Sequence, residues 1–268
     1  MKIISWNING IRSLIGQNPS KNFDKISNDN KLFEYINREQ PDIICLQETK
    51  AEPDQIKEEL RYPPGYYGYF NHSKAKKGYS GVVTYTKEKP ICFSEDIGND
   101  KFDREGRIMN TEYKDFFLFN VYFPNGTSGQ DRVDYKLEFY DYLFNYIEDL
   151  RKSGKPIIVC GDYNTAHYAI DLARPEENKN TSGFLPEERV KLDKIVELGY
   201  IDTFRQFNKE PNNYTWWSNR ARARENNVGW RIDYHFVTDN IIGAVKNSYH
   251  QPDVLGSDHC PIILELDV

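Results

Sequence analysis

The sequence predicts a single domain of mixed α and β structure with many strands. Short apolar runs that end in a glycine or a polar residue recur along the whole chain, and this pattern is typical of buried strands. Few segments show the periodicity of a helix, and no low-complexity stretch or convincing linker divides the chain. We therefore interpret residues 1–268 as one domain.

Composition and charge restrict the class of protein. The chain is 38% hydrophobic and 14% aromatic, which is typical of a globular protein. No apolar run approaches the ~18 residues of a membrane span, and the start of the chain, MKIISWNING, is neither a signal peptide nor a transit peptide. We expect a cytoplasmic protein without a membrane partner. The net charge of −6 argues mildly against general attraction to nucleic acid but permits a local basic face.

In chain order, strands dominate the first half. Strands are predicted at 2–6, 42–46, 65–70, 81–86, 107–113 and 116–123. The polar residues 16–30 predict a loop, and 31–38 a short amphipathic helix. The four cysteines form no CxxC pair, so we expect small core residues in a reducing compartment, namely Cys45, Cys92, Cys160 and Cys260.

The second half contains the best helix, predicted at 134–152 and stopped by Gly154 and Pro156. Its expected apolar face comprises Leu137, Tyr140, Phe144, Ile147 and Leu150. A further helix is predicted at 186–198, because a proline opens it and Gly199 follows it. The closing strands are predicted at 214–217, 232–238 and 262–268.

The stretch 156–167, PIIVCGDYNTAH, carries the clearest functional signal. Its apolar run is typical of a buried strand, although periodicity alone also fits a short buried helix. Asp162, Asn164 and His167 follow directly. These polar residues fit either a functional site or an ordinary Asx-type turn after a core strand.

Polar residues follow apolar runs at five separate places, which indicates a shared rim where they converge. These residues are Asn7 with Asn9, Glu48, Tyr122 with Asn125, Asp162 with Asn164, and Asp258 with His259. The oxygen-bearing members, Asn7, Glu48, Asp162, Asn164 and Asp258, are ligands suited to Mg²⁺ or Mn²⁺ and poor for zinc. His259 is suited to act as an acid, a base or a hydrogen-bond donor to phosphate. Asp233 is suited to orient its imidazole. The set suits attack by water on a phosphodiester.

Eight motifs in order resemble the exonuclease III family of abasic-site endonucleases. They are WNING at 6–10, LQETK at 46–50, KGYSG at 77–81, EGR at 105–107, YFPNG at 122–126, GDYNTAH at 161–167, NVGWRIDY at 227–234 and GSDHCPI at 256–262. The resemblance implies an α+β fold of the deoxyribonuclease I type, a four-layer sandwich of two packed sheets flanked by helices. It implies Mg²⁺-dependent cleavage of DNA 5′ to an abasic site, leaving a 3′-hydroxyl, with 3′–5′ exonuclease or 3′-phosphodiesterase activity.

The resemblance also implies roles for individual residues. Glu48 is the principal metal ligand, and Asp258 and Asn7 complete the metal environment. Asp162 is the base or holds the attacking water, and Tyr122 and Asn164 support the transition state. Asp233 and His259 contact the scissile phosphate. The proton acceptor, Tyr122 or Asp162, and the number of metal ions stay open. Asn9 has an amide where some relatives have an aspartate, which puts a second metal position in doubt. The loop 16–30 is longer than the corresponding connection in many members of the family.

The implied partner is double-stranded DNA with abasic sites or blocked 3′ ends, bound by a monomer in the nucleoid. The positions expected to contact it are Arg12, Lys50, Gly78, Tyr79, Arg107, Asn125, Asn178, Thr181, Trp216, Arg220, Arg222, Arg224, Trp230 and Ile232. Of these, Trp216, Trp230 and Ile232 are expected to wall the pocket for the abasic sugar.

Two other functions compete with this interpretation. One is a different phosphoesterase of the same superfamily, such as a non-specific nuclease or a phosphoinositide phosphatase, and the aromatic residues near NVGWRIDY argue against it. The other is a non-catalytic DNA-binding protein on this fold. Such a protein is expected to lose Glu48, Asp162 or His259, and the chain retains all three.

Overall fold

The computed structural model describes residues 1–17 and 30–268, and within them two mixed six-stranded sheets form the centre of the molecule. In order of pairing, the first sheet contains β13 (Val245–His250), β14 (Ile262–Leu266), β1 (Lys2–Asn7), β2 (Ile43–Gln47), β4 (Val82–Thr86) and β3 (Tyr67–Asn71). Only β1 and β2 are parallel in this sheet. Their carboxyl ends therefore lie side by side at one edge.

The second sheet repeats this arrangement. In order of pairing it contains β5 (Cys92–Ser94), β6 (Ile108–Glu112), β7 (Phe117–Tyr122), β8 (Ile157–Asp162), β12 (Asp233–Thr238) and β9 (Tyr200–Asp202). Here β7 and β8 are the parallel pair, and β12 runs antiparallel to β8 with Asp233 opposite Asp162. A separate two-stranded hairpin joins β10 (Trp216–Trp217) to β11 (Gly229–Trp230).

Helices cover the outer faces of the sheets. They are α1 (Ile11–Leu14), α2 (Lys31–Glu39), α3 (Glu58–Arg61), α4 (Asp100–Asp103), α5 (Gln130–Arg151), α6 (Pro175–Asn178), α7 (Pro186–Glu197) and α8 (Thr203–Phe207). One apolar cluster packs α1 and α2 on the first sheet, a second packs α5 and α7 on the second sheet, and a third lies between the sheets. These three interfaces define a four-layer sandwich, so the predicted fold class is confirmed.

A buried polar contact ties the two sheets together near the edge that holds the parallel strand ends. Gln47, the last residue of β2, donates from Nε2 to Asn120 Oδ1 on β7 at 2.8 Å, and neither side chain is exposed. A buried amide that lacks a partner costs about 1–3 kcal/mol, so this pair disfavours other relative positions of the sheets. The ends of β1, β2, β7 and β8 therefore meet on one rim.

Most predicted elements are confirmed, with shifts of a few residues at their ends. The main helix begins at Gln130 instead of residue 134, because Gly129 at φ 116° starts the turn earlier. Its buried face includes Phe139 and Leu143, whereas Leu137 and Leu150 are only half-buried. Most of the predicted loop 16–30 lies outside the described residues.

Four strands were missed. They are β5, β9, β11 and β13, and each is very short or lies at a sheet edge where polar residues replace an apolar run. The four cysteines are free thiols, and Cys45, Cys160 and Cys260 are buried as expected, but Cys92 is exposed on the edge strand β5. In the described part of the chain, no helix is long and apolar enough to cross a membrane.

Candidate active site

The predicted rim exists as one cavity of about 390 Å³ at the common edge of the two sheets. It brings together side chains that are up to 250 residues apart in sequence, including Glu48, Asp162 and His259. The other lining residues are Asn9, Lys50, Tyr122, Asn125, Thr127, Asn164, Thr181, Ser182, Gly183, Trp216, Trp230, Ile232 and Asp258. The predicted convergence of the five groups of polar residues is therefore observed, although Asp258 and His259 precede β14 and do not follow a strand end.

Two carboxylates form the floor of the cavity, and one amide bridges them. Asn7 Nδ2, fully buried at the end of β1, donates to Glu48 Oε2 at 3.0 Å and to Asp162 Oδ2 at 2.9 Å. Burial raises the pKa of Asp162 to about 7, although His259 opposes the shift. Lys50 Nζ lies 2.8 Å from Glu48 Oε1, where it balances the negative charge.

Backbone strain is concentrated at this floor. Glu48 has φ 58°, and Asn9, Lys50 and Asn164 have φ values of 46°, 51° and 52°. Non-glycine residues adopt this left-handed region rarely, and the conformation costs of the order of 1 kcal/mol or more at each. Glu48 directly follows β2 and Asn164 lies two residues after the end of β8, and both side chains line the cavity, so the strain lies where a functional site is predicted.

A carboxylate–imidazole pair forms the second part of the site. Asp233 Oδ2 lies 2.9 Å from His259 Nδ1, and Thr215 Oγ1 lies 2.6 Å from the same carboxylate oxygen. Because the Thr215 oxygen accepts from the backbone N–H groups of Ile232 and Asp233, its own proton is directed at Asp233. Asp233 is therefore an acceptor, and His259 Nδ1 carries a proton.

The other imidazole nitrogen, His259 Nε2, faces the carboxylate floor at 3.8 Å from Asp162 Oδ2. Burial opposes protonation of His259, but the carboxylates of Asp233 and Asp162 outweigh it and raise its pKa to about 10. At neutral pH the imidazolium therefore presents an N–H donor and a positive charge to the cavity.

Two sets of residues compete as a metal site. Asp162, Asp233 and His259 are buried, and their ligand atoms lie within 4.8 Å of one another. In that set, however, Asp233 already accepts from His259 and Thr215. Glu48 has a partly exposed carboxylate with a lysine ammonium as its counter-cation, so oxygen ligands centred on Glu48 and Asp162 fit a hard cation better.

The remaining predicted ligands face the same place but are engaged with neighbours. Asn7 turns its nitrogen toward the carboxylates, and its Oδ1 accepts from Asn9 N at 3.0 Å, so coordination through Oδ1 requires the amide to rotate. Asp258 accepts from Asn9 Nδ2 at 2.9 Å and from Trp216 Nε1 at 3.1 Å. Asn164 Nδ2 donates to Phe123 O at 2.9 Å.

An aromatic wall lines the same cavity and adjoins its polar part, since Trp216 Nε1 donates to Asp258 Oδ2. Trp216 and Trp230 pair across the β10–β11 hairpin with ring centroids 6.4 Å apart and planes at 82°, and Ile232 completes the wall. Trp217 points the other way and is buried at 3% exposure. Alternation along a strand explains why adjacent tryptophans have different surroundings.

The position of Arg107 disagrees with its predicted role in DNA contact. We expected it to contact DNA, but its side chain is 2% exposed, so its guanidinium cannot reach a phosphate without leaving its partners. It donates to Glu105 Oε2 at 2.5 Å, to Tyr79 OH at 2.7 Å and to Tyr122 O at 3.0 Å. The geometry assigns Arg107 to support Tyr122 and Tyr79.

Arg224 gives a similar correction. Its guanidinium donates to the carbonyls of Ser257, Pro252 and Val254 at 2.7–2.8 Å and stacks on Trp217 at 4.6 Å. These contacts close the loop onto the body of the molecule and leave Arg224 poorly placed for phosphate. Arg220 and Arg222 on the same loop are exposed.

Only some of the other predicted contact positions line the cavity. Lys50, Asn125 and Thr181 line the cavity, and Arg12 Nη2 donates to Lys50 O at 3.4 Å. Gly78 is exposed at φ 68° on the loop that carries Tyr79. Asn178 does not line the cavity, and its Nδ2 donates to Arg174 O at 2.8 Å.

Sequence reasoning missed three kinds of supporting residue. Thr215 orients Asp233, and Ser182 and Gly183 line the cavity. Lys136 and Glu188 form a buried ion pair behind it. None of these belongs to the quoted motifs, and a threonine, a serine or a lysine on a helix carries no sequence signal of its own.

Comparison with known proteins decides the family. A model described as the Endonuclease/Exonuclease/phosphatase family matches residues 4–259. The chain belongs to this family. This relationship confirms the resemblance and the fold that the eight motifs predicted.

Individual relatives agree with this assignment. The chain is 39% identical to an "Exodeoxyribonuclease" of Bacillus subtilis, with 100% of both chains covered. It is 42% identical to a "DNA-(apurinic or apyrimidinic site) endonuclease" of Dictyostelium discoideum, covering 100% of this chain and 71% of the relative. Among solved structures, an AP endonuclease from Archaeoglobus fulgidus superposes with a TM-score of 0.87 at 27% identity, with 100% of both chains covered. The predicted class of DNA-repair nuclease agrees with these names.

Proposed function

We propose that this protein is a DNA-repair nuclease that hydrolyses the phosphodiester 5′ to an abasic nucleotide and leaves a 3′-hydroxyl. The observation that carries the proposal is that carboxylates, an imidazolium and an aromatic wall line one cavity of about 390 Å³. Relatives named exodeoxyribonuclease and abasic-site endonuclease support it. A 3′–5′ exonuclease or 3′-phosphodiesterase activity hydrolyses the same type of phosphodiester bond and requires the same side chains.

Each polar group has a role that follows from its position. His259 Nε2 points into the cavity and donates to a non-bridging phosphate oxygen, while Asp233 holds the ring in place through Nδ1. Asp162 orients the attacking water and accepts its proton, with Tyr122 beside it as the alternative acceptor. Asn164 donates to the charge that develops on the phosphate.

A divalent cation suits the oxygen ligands of the floor, with Mg²⁺ expected and Mn²⁺ as a substitute. Glu48 and Asp162 would hold it, with Asp258 and the amide oxygens of Asn7 and Asn164 at the periphery. When bound, it supplies positive charge that stabilises the leaving oxygen.

Selection of the damaged nucleotide follows from the size and lining of the cavity. Hydrogen bonds to a base edge cannot identify a nucleotide that has no base. The large apolar side chains of Trp216, Trp230 and Ile232 line the cavity, and we expect them to accept a bare sugar and to exclude a base. Extrusion from the duplex costs a few kcal/mol for a normal nucleotide and least where no base is stacked.

The binding partner that fits this surface is duplex DNA with an abasic site or a blocked 3′ end. Lys50 lines the cavity and is half-exposed, and Arg220 and Arg222 are exposed on the loop between β10 and β11, which suits phosphate contacts despite the net charge of −6. We expect the protein to act as a monomer in the cytoplasm, in association with the nucleoid.

The test uses two end-labelled duplexes that differ only by one abasic analogue. In Mg²⁺, we expect a single incision in the duplex with the analogue, little cleavage of the intact duplex, and no cleavage of either in excess EDTA. Equal cleavage of both duplexes indicates a non-specific nuclease. Binding without cleavage indicates a non-catalytic protein, and hydrolysis of a phosphoinositide without cleavage of DNA indicates a phosphatase. Each of these three results contradicts the proposal.

A further inference from the structure

A fully buried ion pair lies directly behind the cavity. Lys136 on α5 and Glu188 on α7 are both 0% exposed, and Lys136 Nζ lies 2.7 Å from Glu188 Oε1. A buried ion pair contributes little net stability compared with well-packed apolar residues, because both charges lose their water. Its presence therefore indicates a role in holding a particular geometry.

Glu188 fastens one wall of the cavity. Its carboxylate accepts from Ser182 Oγ at 2.9 Å, from Gly183 N at 2.5 Å and from Leu185 N at 3.1 Å. The bond from Leu185 is ordinary for a glutamate in the first turn of a helix. The other two bonds reach beyond the helix into the turn whose residues Ser182 and Gly183 line the cavity.

Lys136 holds the turn that contains Asn164, which forms the second wall of the cavity. Besides Glu188, its ammonium donates to the backbone oxygen of Asn164 at 2.7 Å. Burial lowers the pKa of Lys136, and the carboxylate of Glu188 opposes that shift. Asn164 is held at φ 52°, so this bond also supports a strained residue of the carboxylate floor.

The two walls meet without spare room. Ala166 N donates to Gly183 O at 2.8 Å, and a Cβ added at Gly183 would lie 3.2 Å from the Trp230 ring and 3.3 Å from Asn164 O. Gly183 therefore lies next to both Trp230 and Asn164, with no room for a larger side chain between them. The carboxylate of Glu188 contacts the turn of Ser182 and Gly183, and the ammonium of Lys136 contacts the turn of Asn164.

We propose that the Lys136–Glu188 ion pair is a positioning element that sets the distance between these two walls and thereby the preference of the cavity for a nucleotide without a base. The proposal rests on the proposed function, since a preference for abasic DNA presupposes that the cavity receives the abasic nucleotide. Neither residue lines the cavity, so both act through their neighbours, Glu188 through the turn of Ser182 and Gly183, and Lys136 through Asn164.

The test replaces the pair in two ways. Glu188→Gln keeps the shape and removes the charge, and Lys136→Met/Glu188→Met replaces both charges with apolar chains of similar volume, a type of replacement that is often neutral for stability. The matched control is Asp141→Asn, because the Lys191–Asp141 ion pair (2.5 Å) joins the same two helices and neither of its residues lines the cavity. The first measurement is the ratio of dissociation constants for intact and abasic-analogue duplexes in EDTA, where catalysis is stopped.

We expect this ratio to fall about tenfold in both pair variants, the equivalent of ~1.4 kcal/mol, and to stay at the parent value in Asp141→Asn. If the pair were only structural, the apolar double variant would fold and keep the parent ratio. A folded double variant with an unchanged ratio overturns the proposal. Should the double variant not fold, the ratio for Glu188→Gln decides in the same way.

A second measurement does not depend on the substrate. Hydrogen exchange at the amides of Gly183 and Leu185 should be faster in the double variant than in the parent and in Asp141→Asn, because their acceptor is gone. Unchanged exchange overturns the positioning role whatever the DNA results are. If the parent itself binds both duplexes equally, the proposed function fails, and the exchange result still decides whether the ion pair holds the wall.

Discussion

The substitution Asp233→Asn tests whether the imidazole of His259 depends on a charged partner. It keeps the size of the side chain and replaces a carboxylate that accepts from His259 Nδ1 at 2.9 Å and from Thr215 Oγ1 at 2.6 Å. An amide offers one acceptor oxygen and no charge. A hydrogen bond to a charged group is worth about 1.5–3 kcal/mol, and ~1.36 kcal/mol of barrier is a factor of ten in rate. We therefore expect kcat on an abasic duplex to fall by about 10- to 150-fold.

Binding should survive in this variant, because most of the positive charges proposed to contact phosphates, such as Lys50, Arg220 and Arg222, are separate from Asp233. The assay is single-turnover cleavage together with anisotropy on the same duplex. A matched control is Asp193→Asn, since Asp193 Oδ1 lies 2.8 Å from His167 Nε2 in a carboxylate–histidine pair that does not line the cavity. A kcat within threefold or so of the parent in Asp233→Asn, or an equal loss in Asp193→Asn, would refute the orienting role.

Three further predictions follow from exposure and burial. Arg222→Gln should reduce the slope of log affinity against log salt concentration by up to about one unit. Arg222 is exposed, and its ion pair with Glu225 is long, at 3.8 Å, so its charge is available for a phosphate. An unchanged slope places Arg222 away from DNA. Trp230→Ala should lower the ratio of kcat/KM on abasic over intact duplex by about tenfold, and an unchanged ratio in a folded variant removes Trp230 from the size filter. Burial lowers the pKa of His235 to about 3, below the ~6.5 of an unfolded histidine, so only the unfolded state gains this proton and stability falls as pH drops below about 6.5. Between about pH 7 and about pH 5, the free energy of unfolding in urea should fall less in His235→Asn than in the parent, by up to ~1.4 kcal/mol per pH unit. An equal fall in both proteins contradicts this prediction.

Apolar runs and the polar residues that end them are local signals, and they were sufficient to predict a mixed α and β domain with a shared rim, whereas the four-layer sandwich was predicted from the resemblance of the eight motifs. Glu48 directly after β2 and Asp162 at the end of β8 could be placed on one rim, because polar residues recur after apolar runs along the chain, although the two strands belong to different sheets. The eight motifs extended this local pattern over almost the whole chain.

The direction in which a long side chain points could not be predicted. Arg222 and Arg224 lie two residues apart on one loop, yet Arg222 is exposed and Arg224 is held by three carbonyl groups. Arg107 follows a glycine in a motif and is nonetheless buried. These outcomes depend on carbonyls and carboxylates supplied by distant segments.

Pairs of residues from distant segments were missed for the same reason. Lys136 and Glu188 are 52 residues apart on two helices, and each by itself is an ordinary helical residue. The edge strand β13 was missed because its exposed polar residues break the apolar pattern, and only pairing with β14 defines it. Tertiary contacts, which no local pattern encodes, decide both cases.

The position and chemistry of the cut test the proposed function more strictly than the loss of substrate does. A duplex labelled on both strands and carrying one abasic analogue should be cut once, on the 5′ side of the analogue, and the new end should be a 3′-hydroxyl that a polymerase extends. In Asp162→Asn and Glu48→Gln, prepared in parallel, the rate of this cut should fall by a factor of the order of 10² or more. A cut on the 3′ side, a 3′-end that cannot be extended, or full activity in either variant would contradict the assignment of this cavity as the active site.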